Sequence, residues 1–440
     1  MDKEQAQLET EQTLGKGLAF NRLFTKQETH PFDTLTFEKR RSVIANPDGT
    51  VVFEMDNVEV PSGWSQLATD IISSKYFRKR GVPGIGRETS SKQVVFRIAN
   101  SIRNYGLEHG YFVSKEDADA FEMELTHILI NQNGAFNSPV WFNCGLYHKY
   151  GVTGGKGNWS WDFEKKEVAE IENNYSRPQC SACFIQDVED DLMGIYDLVK
   201  AEARLFKYGS GSGTNFSKIR GRQEKLSGGG LSSGLMSFLE VFDRAAGATK
   251  SGGTTRRAAK MVCLDMDHPE IVDFITWKVK EEKKAKALVD AGYSPEIDGE
   301  AYKTVSGQNS NNSVRITDTF MSAVLEDKKW NTVARITGEV VDELRARDLM
   351  DEICKAAWIC ADPGVQFDTT INDWHTCPNS DKINASNPCS EYMFLDNSAC
   401  NLASINLMKY LDGDGNFNIE AYKHTIRIFI TAMEILVDFS

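Results

Sequence analysis

The chain has 440 residues, 41% of them hydrophobic, a net charge of −13 and a sequence pI near 5.2. That length can carry a large core and more than one domain, and the acidic balance excludes the basic footprint of a nucleic-acid-binding surface. No apolar run approaches the ~18 residues of a membrane span, Met1-Asp2-Lys3-Glu4-Gln5 is not a secretion signal, and the nine cysteines are expected to be reduced thiols in the cytoplasm.

The first hundred residues are irregular and turn-rich around Gly81-Val82-Pro83-Gly84, which marks an amino-terminal subdomain over 1–110. Val95, Ile98, Ile102 and Tyr105 predict a helix stopped by Gly106. Ser114 with Asp117 reads as a capping box, opening a helix that carries Ala118, Phe121, Leu125, Ile128 and Leu129. Leu192, Ile195, Tyr196, Val199, Ala203 and Phe206 predict a third, ending before Gly209-Ser210-Gly211-Ser212-Gly213. Further helices are expected at about 234–247, 269–286, 345–361 and 418–438. β-like segments at Lys260-Met261-Val262-Cys263-Leu264 and Val314-Arg315-Ile316 lie close to helical patterns, and this alternation implies an α/β architecture.

The most informative stretch is Asn387-Pro388-Cys389-Ser390-Glu391, with Cys400 eleven residues beyond Cys389. Pro388 forces Asn387 out of the helical region and removes a backbone donor, which suits an edge or a loop crossing a cavity better than a central strand. In an extended segment Asn387, Cys389 and Glu391 would project to one side, roughly 6.5–7 Å apart along the strand. On spacing alone, Cys389 is equally well a small buried hydrophobe.

The surrounding words break that tie. Ile383-Asn384-Ala385-Ser386-Asn387-Pro388-Cys389-Ser390-Glu391 and Ala399-Cys400-Asn401-Leu402-Ala403-Ser404-Ile405-Asn406-Leu407 resemble the active-site segment of the adenosylcobalamin-dependent (class II) ribonucleotide reductases. Trp374-His375-Thr376-Cys377-Pro378, Asn137-Ser138-Pro139 with Asn143-Cys144-Gly145, and Cys180-Ser181-Ala182-Cys183-Phe184 fall in the order which that family shows. The eleven-residue step and Pro388 favour the cobalamin class over the oxygen-dependent class I, which stays as an alternative. The resemblance implies the first half of a ten-stranded α/β barrel over 111–440, with the cysteine loop threaded through it and a mainly helical subdomain before it. The last apolar helix pattern carries no stop signal, and the resemblance implies a carboxy-terminal half beyond it, whether split onto another chain, interrupted or cut away.

The same resemblance implies the roles. Cys389 would become a thiyl radical, Glu391 would act as base, Asn387 would hold the ribose, and Cys183 with Cys400 would supply two electrons by closing to a disulfide. Ser138, Ala182, Gly213 and Asn387 are expected at the substrate. Asp190 and Arg256 are expected at a deoxynucleotide effector, through loops resembled by Ser227-Gly228-Gly229-Gly230 and Lys250-Ser251-Gly252-Gly253-Thr254-Thr255-Arg256-Arg257. Adenosylcobalamin is the expected cofactor, a ribonucleoside diphosphate the substrate, thioredoxin or glutaredoxin the reductant, and a homodimer the assembly.

Rival readings use the same residues differently. Asn-Ser-Pro can be a plain turn, and Asp190 a helix N-terminal acid. A cysteine hydrolase built on Cys389 needs a histidine base, for which His375 is the neighbour in sequence. A nonenzymatic nucleotide-binding half is a third class. Gly209 to Asn215 lacks the dinucleotide fingerprint and a following Lys-Ser/Thr, so alone it reads as a flexible turn. Cys180-x-x-Cys183 has no second pair at zinc spacing, and Asp412-x-Asp414-x-Asn416 fails as a calcium loop at Phe417 and Lys423; no metal is expected.

Overall fold

The computed structural model describes residues 16–46, 49–251, 256–296 and 299–440, with the side chains of 250, 251, 256 and 257 outside that description. The chain divides into two compact units, Met1–Ala182 with Asn401–Ser440, and Cys183–Cys400. The division therefore falls at 182/183 and 400/401 rather than at the expected 110/111.

The first unit opens with an antiparallel hairpin, β1 (Phe37–Ala45) and β2 (Val51–Pro61), which sets Met55, Val58 and Val60 into the core and leaves β1 largely exposed or half-buried. Helix α1 (Ser91–Glu108) starts at a reciprocal cap: Ser90 Oγ accepts from Lys92 N, and Gln93 Oε1 accepts from Ser90 N. Its apolar stripe, Val94, Val95, Ile98, Ala99 and Ile102, joins one core with Phe121, Leu125 and Ile128 of α2 (Lys115–Ile130). Gly106 does not stop α1. The helix runs on to Glu108, and a Cβ on Gly106 would lie 2.7 Å from the Phe112 ring and 2.8 Å from Ile435, so glycine there serves close packing. At the start of α2 the Asp117 carboxylate accepts the Ser114 hydroxyl and the Phe20 N–H instead of reaching back to the Ser114 backbone.

The second unit carries five parallel strands, β3 (Cys183–Gln186), β4 (Gly211–Asn215), β5 (Lys260–Asp265), β6 (Asn311–Ile316) and β7 (Gly364–Phe367), in the order β7-β6-β5-β4-β3. Helices α3 (Leu192–Lys207), α4 (Leu235–Ala248), α5 (Ile271–Asp290) and α6 (Ala346–Cys360) connect them. A short hairpin, β8 (Ala385–Ser386) and β9 (Met393–Phe394), is followed by β10 (Ser398–Cys400), which joins the sheet antiparallel to β3. This is a five-stranded half barrel with one added edge strand.

Strand alternation sorts the two faces. Val262, Leu264, Val314 and Ile316 join the core that includes residues of all four helices, among them Ile195, Leu239, Phe274 and Ile353. Ile185, Met261 and Cys263 instead cluster with Ala385 of the hairpin, with Tyr392 and Phe394 packed on them. Beyond Cys400 the chain returns to the first unit, where β11 (Ala403–Ile405) pairs with Gly134–Phe136. There α7 (Ile419–Phe439) buries Ile428, Phe429, Ala432, Ile435 and Leu436.

Candidate active site

The inner face of the half barrel is a seat for the hairpin. A Cβ on Gly213 would stand 1.8 Å from the Ser386 carbonyl oxygen, and one on Gly211 would stand 2.7 Å from Pro388 Cγ. Gly211 to Asn215, which the sequence alone offers as a turn, is thus a strand whose glycines admit a second backbone. Gly213 is placed beneath the hairpin. Polar side chains of the same face then hold it: Asn215 Nδ2 donates to Asn384 O (2.9 Å), Asn311 Nδ2 to Pro388 O (2.7 Å) and Gln366 Nε2 to Ser386 Oγ (2.8 Å). Buried Arg315 donates to Ile383 O (2.7 Å) while paired to Asp368.

The tip of the hairpin departs from the extended segment expected of it. Asn387 N donates to Tyr392 O (3.0 Å), Tyr392 N donates to Asn387 Oδ1 (3.0 Å), and Ser390 N donates to Asn387 O (3.1 Å). Ser390 sits at φ 63. Asparagine's side-chain carbonyl competes for a backbone donor and curls the chain, so Asn387, Cys389 and Glu391 occupy a turn and not one strand face. Asn387 and Pro388 are buried, whereas Cys389 and Glu391 are exposed. Asn387 Nδ2 is buried with no hydrogen-bond partner.

Cys183 and Cys400 meet. They are direct register partners across β3 and β10, both 8% exposed, with their side chains hydrogen-bonded. Opposed residues of an antiparallel pair have Cα atoms about 4.5–5.5 Å apart, inside the roughly 4.4–6.8 Å that a disulfide needs. The hydrogen bond to Cys183, then burial, then the Cys183 and Glu391 charges push the Cys400 thiol far above its ordinary value.

The remaining expected residues are dispersed. Asp190 binds Arg220, Oδ2 accepting from Nε at 2.6 Å, and stands one residue before Asp191, the cap of α3. Ser138 begins a short helix in the first unit, capped by Asn137, with its Oγ 3.1 Å from Tyr76 OH. Ala182 is the last residue before the second unit. Residues 252–255 and the Arg256 and Arg257 side chains lie outside the described residues. His375 Nε2 lies 3.0 Å from Asp381 O and 4.0 Å from Cys377 Sγ. The Cys180 thiol hydrogen-bonds Cys144, both buried, and Asp412 Oδ1 accepts from the backbone of Asp414 and Asn416 in a turn. Among the described residues no three His, Cys, Asp or Glu side chains converge as metal ligands, and no helix is long and apolar enough to cross a membrane.

Two family sequence models match the chain: "Ribonucleotide reductase, barrel domain" over residues 181–440 and "Class II vitamin B12-dependent ribonucleotide reductase" over 38–132. The chain belongs to the ribonucleotide reductase family. Among similar curated proteins, a vitamin B12-dependent ribonucleotide reductase of Rhodopirellula baltica is 49% identical over 96% of this chain and 41% of its own length. The enzyme of that name from Streptomyces coelicolor is 48% identical over 97% of this chain and 42% of its own. A vitamin B12-dependent ribonucleoside-diphosphate reductase of Mycobacterium tuberculosis is 34% identical over 59% of this chain and 34% of its own. The chain thus spans about two-fifths of the first two relatives. The reductase barrel match begins two residues before Cys183, where the half barrel starts.

Sequence reasoning missed the residues that hold the tip: Asn215, Asn311, Arg315, Gln366 and Tyr392. Polar side chains at alternate positions of otherwise buried strands, such as Asn311, Ser313 and Arg315 in β6, were the available signal.

Proposed function

We propose that this chain forms part of an enzyme converting ribonucleoside diphosphates to 2′-deoxyribonucleotides through a cysteine thiyl radical. The observation that carries the reading is the meeting of Cys183 and Cys400 across one register on the strand that follows the Cys389 hairpin. The name of the Mycobacterium tuberculosis relative supports the diphosphate level.

An unactivated C2′–OH bond does not break by polar steps at a useful rate, whereas a radical at C3′ makes it labile. Exposure of Cys389 at the tip fits a radical delivered from outside the protein, and Cys389 is the residue that would meet it. Adenosylcobalamin, when bound, supplies that radical chemistry. The Cys389 thiyl takes the C3′ hydrogen, forming S–H, and Glu391 accepts the 3′-hydroxyl proton. The 2′-hydroxyl leaves as water with a proton from one thiol of the Cys183–Cys400 pair. The pair contributes two electrons in all and closes to a disulfide, and Cys389 returns the hydrogen to C3′. Ribonucleotide and dithiol become deoxyribonucleotide, water and disulfide. The unpaired, buried Asn387 Nδ2 is a donor suited to a ribose oxygen.

By the same reading Ser138 and Ala182 border the substrate, Gly213 seats the hairpin that presents Cys389 to it, and Asp190 with Arg256 serves a deoxynucleotide effector. Thioredoxin or glutaredoxin reopens the disulfide, and the working enzyme is a cytoplasmic homodimer that includes the carboxy-terminal remainder found in longer relatives. The test is turnover of the chain joined with that remainder from a relative. Cys389→Ser is expected to abolish deoxyribonucleotide formation, and Cys400→Ser to permit radical formation while stopping dithiol-driven reduction. Turnover by Cys389→Ser would overturn the proposal.

A further inference from the structure

Tyr392 joins two parts of the site. Its backbone closes the tip, donating to Asn387 Oδ1 and accepting from Asn387 N, each at 3.0 Å. Its phenol reaches the other way, to Ser398 Oγ at 3.1 Å and Ala399 O at 3.3 Å. Ser398 Oγ spends its only proton on Leu395 O, so it can only accept from Tyr392, and the phenol proton is committed to β10. Ser398 and Ala399 are the residues immediately before Cys400 in that strand. Burial pushes the phenol above its ordinary value, against the opposing hydrogen bond to Ser398.

Closing the pair brings its two sulfurs to about 2.05 Å, far inside any hydrogen-bond distance. The Cα atoms already stand within disulfide range, so the closure falls on the two side chains and on the hydrogen bond they give up, and Tyr392 is tied to the two residues that precede Cys400 in β10. A packed, hydrogen-bonded strut transmits such a shift between discrete arrangements instead of absorbing it.

We propose that Tyr392 is a positioning residue that reports the oxidation state of the Cys183–Cys400 pair to the Cys389 tip. This rests on the redox role proposed above. With the pair oxidised no electrons are available for reduction, and a tip displaced in that state keeps Cys389 from receiving a radical it could not use.

The experiment measures the iodoacetamide labelling rate of Cys389 by peptide mass spectrometry, in chain reduced with dithiothreitol and in chain oxidised with diamide, which takes two electrons and two protons from the pair. In the unmodified chain the two states should label Cys389 at rates several-fold apart. In Tyr392→Phe, which keeps the ring packing, the disulfide should still form and Cys389 still label, but at one rate in both states. Ser398→Ala, removing the acceptor, should act likewise if Tyr392→Phe fails to fold. Equal rates in the unmodified chain, or an undiminished difference in the variants, overturns the proposal. If diamide forms no Cys183–Cys400 disulfide, the redox reading itself falls.

Discussion

The Ser386 carbonyl oxygen lies where a Cβ of Gly213 would stand, 1.8 Å away. Neither atom is at the end of a flexible side chain, so Gly213→Ala must push the hairpin off the sheet. The expected cost is at least about 2 kcal/mol by urea denaturation, more than that of Gly211→Ala, whose Cβ meets a proline ring carbon at 2.7 Å. Equal losses would show that the hairpin is not seated this tightly.

Cys389 and Cys400 should react as different thiols. Cys389 is exposed, while Cys400 is buried and its thiol is raised by the Cys183 hydrogen bond. In the reduced chain at pH 8, iodoacetamide should label Cys389 at least about tenfold faster, since only thiolate reacts. From pH 7 to 9 the Cys400 rate should climb about tenfold per unit without a plateau, because the group stays far from half-ionised. A plateau below pH 9 would contradict the coupled arrangement.

His268 should make the half barrel acid-sensitive. Its Nε2–H donates to Ile219 O at 2.8 Å and its Nδ1 accepts from Glu270 N at 3.0 Å, so both nitrogens are engaged by the neutral ring. Burial pushes the imidazole down from 6.5 to about 4. Between those values the unfolded chain binds a proton that the folded chain refuses, so stability is full above pH 6.5 and falls as pH drops towards 4, by about 3 kcal/mol. Melting temperatures taken from pH 7 to 4.5 should fall more steeply for the unmodified chain than for His268→Gln; parallel curves would refute the assignment.

Much of the fold is legible in the sequence because helical spacing survives wherever one face is buried. The helices expected near 192–206, 234–247, 345–361 and 418–438 appear within a few residues at 192–207, 235–248, 346–360 and 419–439. Strands fared differently. Gly211 to Asn215 has no apolar residue to mark it, since Gly211 and Gly213 must leave room for the hairpin, Asn215 bonds to it, and the outer Ser212 and Thr214 are polar. β1 escapes notice because Glu38, Lys39, Arg40 and Arg41 put charges on both of its faces. Of the site, the family words pointed to the Cys183–Cys400 pairing, and the register supplies their contact. Local spacing gave the wrong backbone at Cys389, because the Asn387 side chain, invisible to a periodicity argument, bends the segment.

Cys183 is the first residue of the half-barrel unit and Cys400 its last. A bond between them therefore ties off the whole intervening polypeptide as a covalent ring. Loop-closure entropy for a ring that large removes about 5 kcal/mol of freedom from the unravelled state. The bond that records a spent pair of electrons would thus also brace the domain in which it forms, and reduction would loosen that domain again.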